Sequence, residues 1–318
     1  LCTHPPYSCR LFWPLVHRRD KPLLGFFGGT LEAHVPGDGI QEWLEDFAAM
    51  ATHPRVQFAA IAPFLAEKMR FQVGVDIPAT RGFAFHLMEQ GASYFPRRIN
   101  DVLVWKNSNE CRQNQDSFDD LLAKATERLS ATYDALPGNP TPKDLRFFHL
   151  RDLRARNESD YSTLASFRAV IIMPYEVLLM TFYELYHLGI PIFLPSEEIT
   201  SMICWAGPVT YPHCGKILED DRRLELKLES ERERSPYSPF GRARARDRWA
   251  WSQAYTDWNN FPHLQRFNSM ASLIHGLLST DLQAVSAAMR LESEVALIEA
   301  SDYWTQAFSK VLGLGRSS

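Results

Sequence analysis

The sequence predicts an α/β protein built on parallel sheets, and three observations carry that expectation. Short apolar runs, Val56–Ala62, Asn100–Trp105 and Val170–Met173, have the length and β-branched content of strands buried on both faces. Helical periodicities separate them, as in Ile40, Trp43, Leu44 and Phe47. Strand and helix patterns alternate along most of the chain, which favours a parallel sheet with right-handed crossovers.

The elements follow in order. Lys21–Phe27 reads as a strand ending at Gly28 and Gly29, and a helix covers about Gly39–Met50. The strand Val56–Ala62 leads into a short helix over Pro63–Phe71. Asn100–Trp105 opens a second run of elements. It continues through a polar loop, KNSNECRQNQD, and an amphipathic helix over Ser117–Leu129 with Phe118, Leu121, Leu122 and Ala125 on one side. LRFFHL is a strand, Ser162–Arg168 a helix, and Val170–Met173 a strand stopped by Pro174. Gly189 closes the next helix in the position that favours a left-handed residue, and Pro191 opens another strand. Ser269–Leu278 and Thr280–Lys310 read as terminal helices, with Thr280 as N-cap of the second.

Length and composition bound the function. A chain of 318 residues exceeds one typical domain, and 45% hydrophobic with 23% charged residues is ordinary for a globular protein. A net charge of −4 gives no general affinity for nucleic acid or anionic membranes, and no apolar run reaches 18 residues. The chain starts at Leu1 with a strand-like LCTH, so it reads as truncated or processed at its N-terminus. Cytoplasm and endomembrane lumen therefore both stay open as its location. Five scattered cysteines without a C-x-x-C pair read as reduced, mostly buried thiols. His213–Cys214 has metal-ligand chemistry but no further ligands at suitable spacing, and no Asp-x-Asp is present. Between Glu219 and Arg248, 17 of 30 residues are charged. DDRRLELKLESERER reads as a solvated helix of close opposite-charge pairs, and the part around Pro236 and Pro239 as a disordered loop. RARARDR lacks the interleaved aromatics of a nucleic-acid surface.

The most informative stretch is VIIMPYEVLLMTFYELYHLGIPIFLPS, Val170–Ser196, in which Glu176 and Glu184 stand eight positions apart. If both sat on one helix they would be about 12 Å apart along its axis and about 80° apart around it. In open α/β sheets ligands bind beyond the carboxyl ends of the strands, which is where Glu176 falls. The spacing Glu176-x7-Glu184 followed by LGIPIFLPS resembles the E-x7-E motif of group 1-like GT-B glycosyltransferases. The passage QFAAIAPFLAEKMRFQVGVDIPATRGFAF resembles the exit of the first GT-B domain into its connector.

That resemblance implies two Rossmann-like domains facing a cleft, the first incomplete, with C-terminal helices. On it, residues 1–97 form a partial acceptor-side domain and 98–218 a nucleotide-sugar domain. Residues 219–248 form a charged, disordered insertion or linker, and 249–318 the helical tail. It also implies roles. Glu184 binds the donor ribose, while Glu176 contacts the transferred sugar as a catalytic residue. The backbone of Val177, Leu178 and Leu179 approaches the diphosphate at the helix start. Lys106 and, more loosely, Arg112 hold the departing diphosphate, where the family has Gly-Arg and a following Lys. Here Trp105 stands in place of that glycine, and Val177, Leu178 and Leu179 replace a glycine-containing turn. Gly28 and Gly29 lie on the acceptor side, and His34 is a second catalytic candidate from the first domain. His4, close to the start of the chain, and His149, a core or crevice-lining histidine within FFHL, are the other histidine candidates for the cleft.

The implied activity is transfer of a hexose-type sugar from a nucleotide sugar to a glycan, protein or small-molecule acceptor. It is retaining and metal-independent, with no cofactor beyond the donor itself. Two alternatives remain at this point: a non-catalytic GT-B-like protein that binds a sugar nucleotide or a partner, and a GT-B-fold sugar-nucleotide epimerase.

Overall fold

The computed structural model describes residues 2–3, 5–105, 112–131, 141–174, 178–200 and 252–314. The protein is α/β, and every strand pairing among the described residues is parallel. It divides into two compact units. One joins Leu1–Gly82 to His213–Asn260 and Ala296–Ser318; the other joins Phe83–Pro212 to Phe261–Val295. The division falls between Gly82 and Phe83, and the second unit ends inside the last helix. Among the described residues no helix is long and apolar enough to cross a membrane.

The first unit opens with a 3-10 helix at Pro6–Phe12 running into α1 (Trp13–Arg19). Strands β1 (Leu23–Phe27) and β2 (Val56–Ala60) pair in parallel, and α2 (Ile40–Ala51) connects them. Helix α3 (Pro63–Val73) follows, and Ala79 adds a single bridge beside Ala60. The α2 periodicity is used as read, since Trp43, Leu44, Phe47 and Met50 are all fully buried. Phe47 stacks on Phe58 at 5.1 Å, and Trp43 Nε1 donates to the Leu31 carbonyl at 2.8 Å. Gly25 is required by close approach, because a Cβ there would lie 2.7 Å from the rings of Phe27 and Phe58.

Cys2 and Cys9 form a disulfide, which corrects the expectation of reduced thiols. Cys2 lies along β1, exchanging hydrogen bonds with Leu24 and Phe26, and the 3-10 turn brings Cys9 back to a Cα separation of 5.6 Å. An odd total of cysteines does not forbid one local pair. Closing so short a loop stabilises by about 2.5 kcal/mol on the chain-entropy model. The double substitution Cys2→Ala/Cys9→Ala is expected to lower unfolding free energy by about that amount in oxidising buffer. Denaturant melts with and without reductant check it: the parent should fall to the variant's level on reduction, and the variant should not respond.

The second unit begins with α4 (Phe85–Gln90), which sequence periodicity did not reveal. Its sheet runs through β3 (Arg98–Trp105), β4 (Arg146–His149), β5 (Phe167–Ile172), β6 (Ile192–Pro195) and β7 (Gln265–Phe267), in the order β4-β3-β5-β6-β7. Helix α5 (Arg112–Ser130) follows β3 and starts before the expected Ser117, so part of the polar stretch read as loop is helical. Helix α6 (Leu150–Ala155) was not anticipated, and α7 (Tyr161–Leu164) replaces the longer helix expected over Ser162–Arg168. The Asp160 carboxylate accepts from Thr163 N at 2.9 Å and fixes the start of α7. Phe167 ends it by entering the sheet, fully buried beneath the Arg98 guanidinium at 4.2 Å.

Helix α8 (Met180–His187) links β5 to β6. It begins after Glu176, so the two glutamates do not share a helix. Gly189 terminates it at φ 70°, as expected of that glycine. A Cβ there would sit 3.0 Å from Arg290 Cγ, so both backbone and packing require glycine. The short helix α9 (Asp257–Asn260) belongs to the first unit. Helix α10 (Met270–Ser279) has Ser269 as N-cap, and α11 (Leu282–Leu312) is divided between the units. Asp281, not Thr280, caps α11 by accepting from Ala284 N at 3.0 Å, while Thr280 is the C-cap of α10. One face of the large sheet, with Val102, Val104, Ala169 and Ile171, is covered by Phe118 and Leu122 of α5 and Leu273, Ile274 and Leu277 of α10. Leu121, read as part of that apolar face, is exposed. The segment 219–248 lies outside the described residues.

Candidate functional site

The strand order creates a switch point in the second unit. From β3 the chain passes to one side, into β4, and then returns to the other side as β5. Adjacent crossovers thus leave in opposite directions between β3 and β5, and ligands of open α/β sheets bind beyond the carboxyl ends at such a point. Trp105 and Ile172, the last residues of β3 and β5, are register partners. Lys106 follows Trp105 immediately in sequence and Glu176 follows Ile172 by four positions. Lys106, Glu176 and Val177 themselves lie outside the described residues, as do His4, His213 and Cys214.

The flanking residues are described. Leu179 is buried and takes the N-cap position of α8 without a side-chain cap, and Leu178 precedes it, half-buried. Arg112 is the first residue of α5, so its backbone stands at that helix's amino end. Trp105 is 4% exposed, its indole packed into the unit and not presented as an open approach. His149, at the carboxyl end of β4 beside Val104, pairs through Nε2 with the Asp119 carboxylate at 3.1 Å.

Glu184 lies in the middle of α8, and its carboxylate meets side chains from two other segments. His86 Nε2, on α4, is 3.6 Å from Glu184 Oε1. Tyr161, the first residue of α7, lies beside the Glu184 carboxylate, and its hydroxyl is 3.3 Å from His86 Nε2. Burial and the neighbouring carboxylate push the Tyr161 phenol up to about 12, so it keeps its proton. The clamp is extended by His187, whose Nδ1 accepts from Ala84 N at 3.4 Å and whose ring packs on Phe83. On the same helix Phe182, Tyr183 and Tyr186 surround the Phe261 ring, which fixes α8 against rotation. A carboxylate has about four acceptor positions. Beside a tyrosine and a histidine Glu184 keeps acceptor capacity, but these partners come from segments that lead into β3 and β5, on the amino side of the sheet and away from the carboxyl-edge switch point. The sequence signal for Glu184 was its spacing; neither His86 nor Tyr161 carried one, because both come from short segments remote in the chain.

A second polar group lies in the first unit. Beyond β1, Gly28 and Gly29 lead into a turn containing Glu32 and His34. A Cβ at Gly28 would meet nothing within 4 Å, and His34 is exposed with a left-handed φ of 64°. Glu32 forms a buried ion pair with Lys68 of α3, Nζ to Oε1 3.0 Å, and Gln72 Nε2 donates to the same oxygen. The signal for Lys68 was present in FLAEKM, where a lysine falls among residues that α3 buries, Phe64, Leu65 and Met69. Among the described residues no group of three His, Cys, Asp or Glu side chains is arranged to hold a metal ion. No protein-family model matches the chain, and comparison with curated proteins finds none significantly similar to it.

Proposed function

We propose that the protein is a GT-B-type glycosyltransferase moving a sugar from a nucleotide-sugar donor bound at the second unit. The observation that carries this reading is the switch point: in sequence Lys106 comes one position and Glu176 four positions after the two strands that flank it, β3 and β5. In this reading Lys106, aided by Arg112 and the amino end of α5, stabilises charge that builds on the departing diphosphate. The backbone from Val177 to Leu179 approaches the same group, and Glu184 holds the ribose. Glu176 positions the sugar and stabilises its developing positive charge, so its contribution grows toward the transition state. Transfer is retaining, with the donor phosphate helping to activate the acceptor, and needs no metal. On this reading the acceptor is held by the first unit, at Gly28, Gly29 and His34.

Isothermal titration with UDP, GDP and ADP tests the proposal, followed by incubation with nucleotide sugars of whichever base binds. One of the three is expected to bind, and sugar release should follow with the anomeric configuration retained by proton NMR. Failure of all three to bind overturns the reading. An inverted product overturns the retaining mechanism and makes His34 the first base to test. A non-catalytic sugar-nucleotide or partner-binding role is the second reading. It is favoured by Trp105 and Leu179, buried where the family places glycine; binding with no product from any donor would establish it.

A further inference from the structure

We propose that the carboxyl edge of the first unit's small sheet is a saccharide-binding site in which Glu32, held by Lys68, accepts hydrogen bonds from ligand hydroxyls. The inference deepens the transferase reading by naming the acceptor's chemical class, but its observations belong to the first unit alone. The side chains of Glu32 and Lys68 are 7% and 2% exposed. Lys68 and Gln72 each contact Oε1 of Glu32, and the other oxygen, Oε2, is buried with no hydrogen-bond partner. A buried carboxylate oxygen without a donor is costly, since its lost hydration is not replaced. Its persistence is explained when a donor arrives from outside the chain.

Three segments bring this chemistry to one edge. Glu32 lies in the turn after β1. Lys68 and Gln72 lie one helical turn apart on α3, which starts directly beyond β2. Thr80 follows Ala79, the bridge partner of Ala60 at the last position of β2, and donates its own N–H to the Ala60 carbonyl at 2.8 Å. The Thr80 hydroxyl is likewise buried without a partner. Gly28, at the same edge, leaves open space where a side chain would stand.

The charge of the group selects the ligand. Glu32 and Lys68 cancel, so neither an anion nor a divalent cation meets net opposite charge. What is in deficit is hydrogen donated to Glu32 Oε2 and a partner for Thr80 Oγ1. Neutral molecules rich in hydroxyl groups supply both, and sugars are the class that presents several on one rigid face.

The full-length chain, screened on an array of immobilised mono- and oligosaccharides, tests the site, with free saccharide titrations of the strongest binders. Two variants carry the test. Thr80→Val removes one hydroxyl at nearly constant shape, and Glu32→Gln/Lys68→Met removes both charges together. Loss of a hydrogen bond to a charged group predicts about tenfold or greater weakening for the double variant, with a smaller loss for Thr80→Val. Nucleoside diphosphate affinity should be unchanged in both. The proposal is overturned if no saccharide binds the folded parent, or if Thr80→Val and the double variant bind as tightly as the parent. Nucleotide titration on the same samples separates the two readings. Nucleotide binding without saccharide binding sinks this site and leaves the transferase reading standing. Saccharide binding through Glu32 without nucleotide binding upholds the site and sinks that reading.

Discussion

Glu184→Ala is expected to weaken binding of the nucleoside diphosphate that the protein selects by a factor of a hundred or more. Two charge-assisted hydrogen bonds to ribose hydroxyls are at stake, each contributing about 1.5–3 kcal/mol. The loss should extend to the free nucleoside, because it concerns the ribose and not the phosphates. Tyr161→Phe provides the graded control. It removes the hydroxyl beside the carboxylate while leaving the charge, so affinity should drop by less than in Glu184→Ala. Folding should survive in both variants, since α8 is held by Phe182, Tyr183 and Tyr186 around Phe261. Calorimetric titration of the parent and both variants, with nucleoside and nucleoside diphosphate, measures the effect. Undiminished affinity in Glu184→Ala would remove the ribose role and leave the His86–Glu184–Tyr161 contacts as a structural clamp between α4, α7 and α8.

All strands but β7 were legible because each is a short, mostly apolar run between punctuating residues; β7, Gln265–Phe267, has three residues of which two are polar, and no strand was expected there. LLGFF is bounded by Pro22 and Gly28, and IFLP by Pro191 and Ser196. Buried on both faces, such runs need no alternation to be recognised. Helices α2 and α10 were legible for a different reason, as an apolar stripe at helical spacing with a clear cap or entry. The short helices were not, because α4 and α6 have only six residues each, too few to repeat a pattern. The start of α5 was hidden by composition: Arg112-Gln113-Asn114-Gln115-Asp116 is as polar as a loop, yet arginine and glutamine are good helix formers.

The site divides along the same line. Glu184 declared itself by its distance from Glu176 and from the strand that follows. What surrounds it could not be read, because His86 and Tyr161 reach it through the fold and not through the chain. The Cys2–Cys9 bond failed for the converse reason: the pair is local, but the count of five cysteines argued against any pairing. Glu32 and Lys68 combine both difficulties. A glutamate in a glycine-rich turn reads as solvated, and only the apolar company of Lys68 in FLAEKM pointed inward.

That buried pair sets the largest stability effect expected in the molecule. Lys68→Met is predicted to cost about 3–5 kcal/mol, because it leaves the Glu32 carboxylate buried without its cation. The methionine fills nearly the volume of the lysine stem, so lost packing contributes little and the uncompensated charge dominates. Glu32→Gln in the Lys68→Met background should recover most of the loss, since removing both charges together abolishes the desolvation penalty as well as the attraction. The two positions are in contact, so their effects must be non-additive, with a coupling energy comparable to the single-variant loss. Urea denaturation of the parent, both single variants and the double variant yields that coupling directly. Additive single and double effects would mean that the carboxylate and ammonium do not depend on each other, and would remove the basis for Lys68 as the group that holds Glu32 in place.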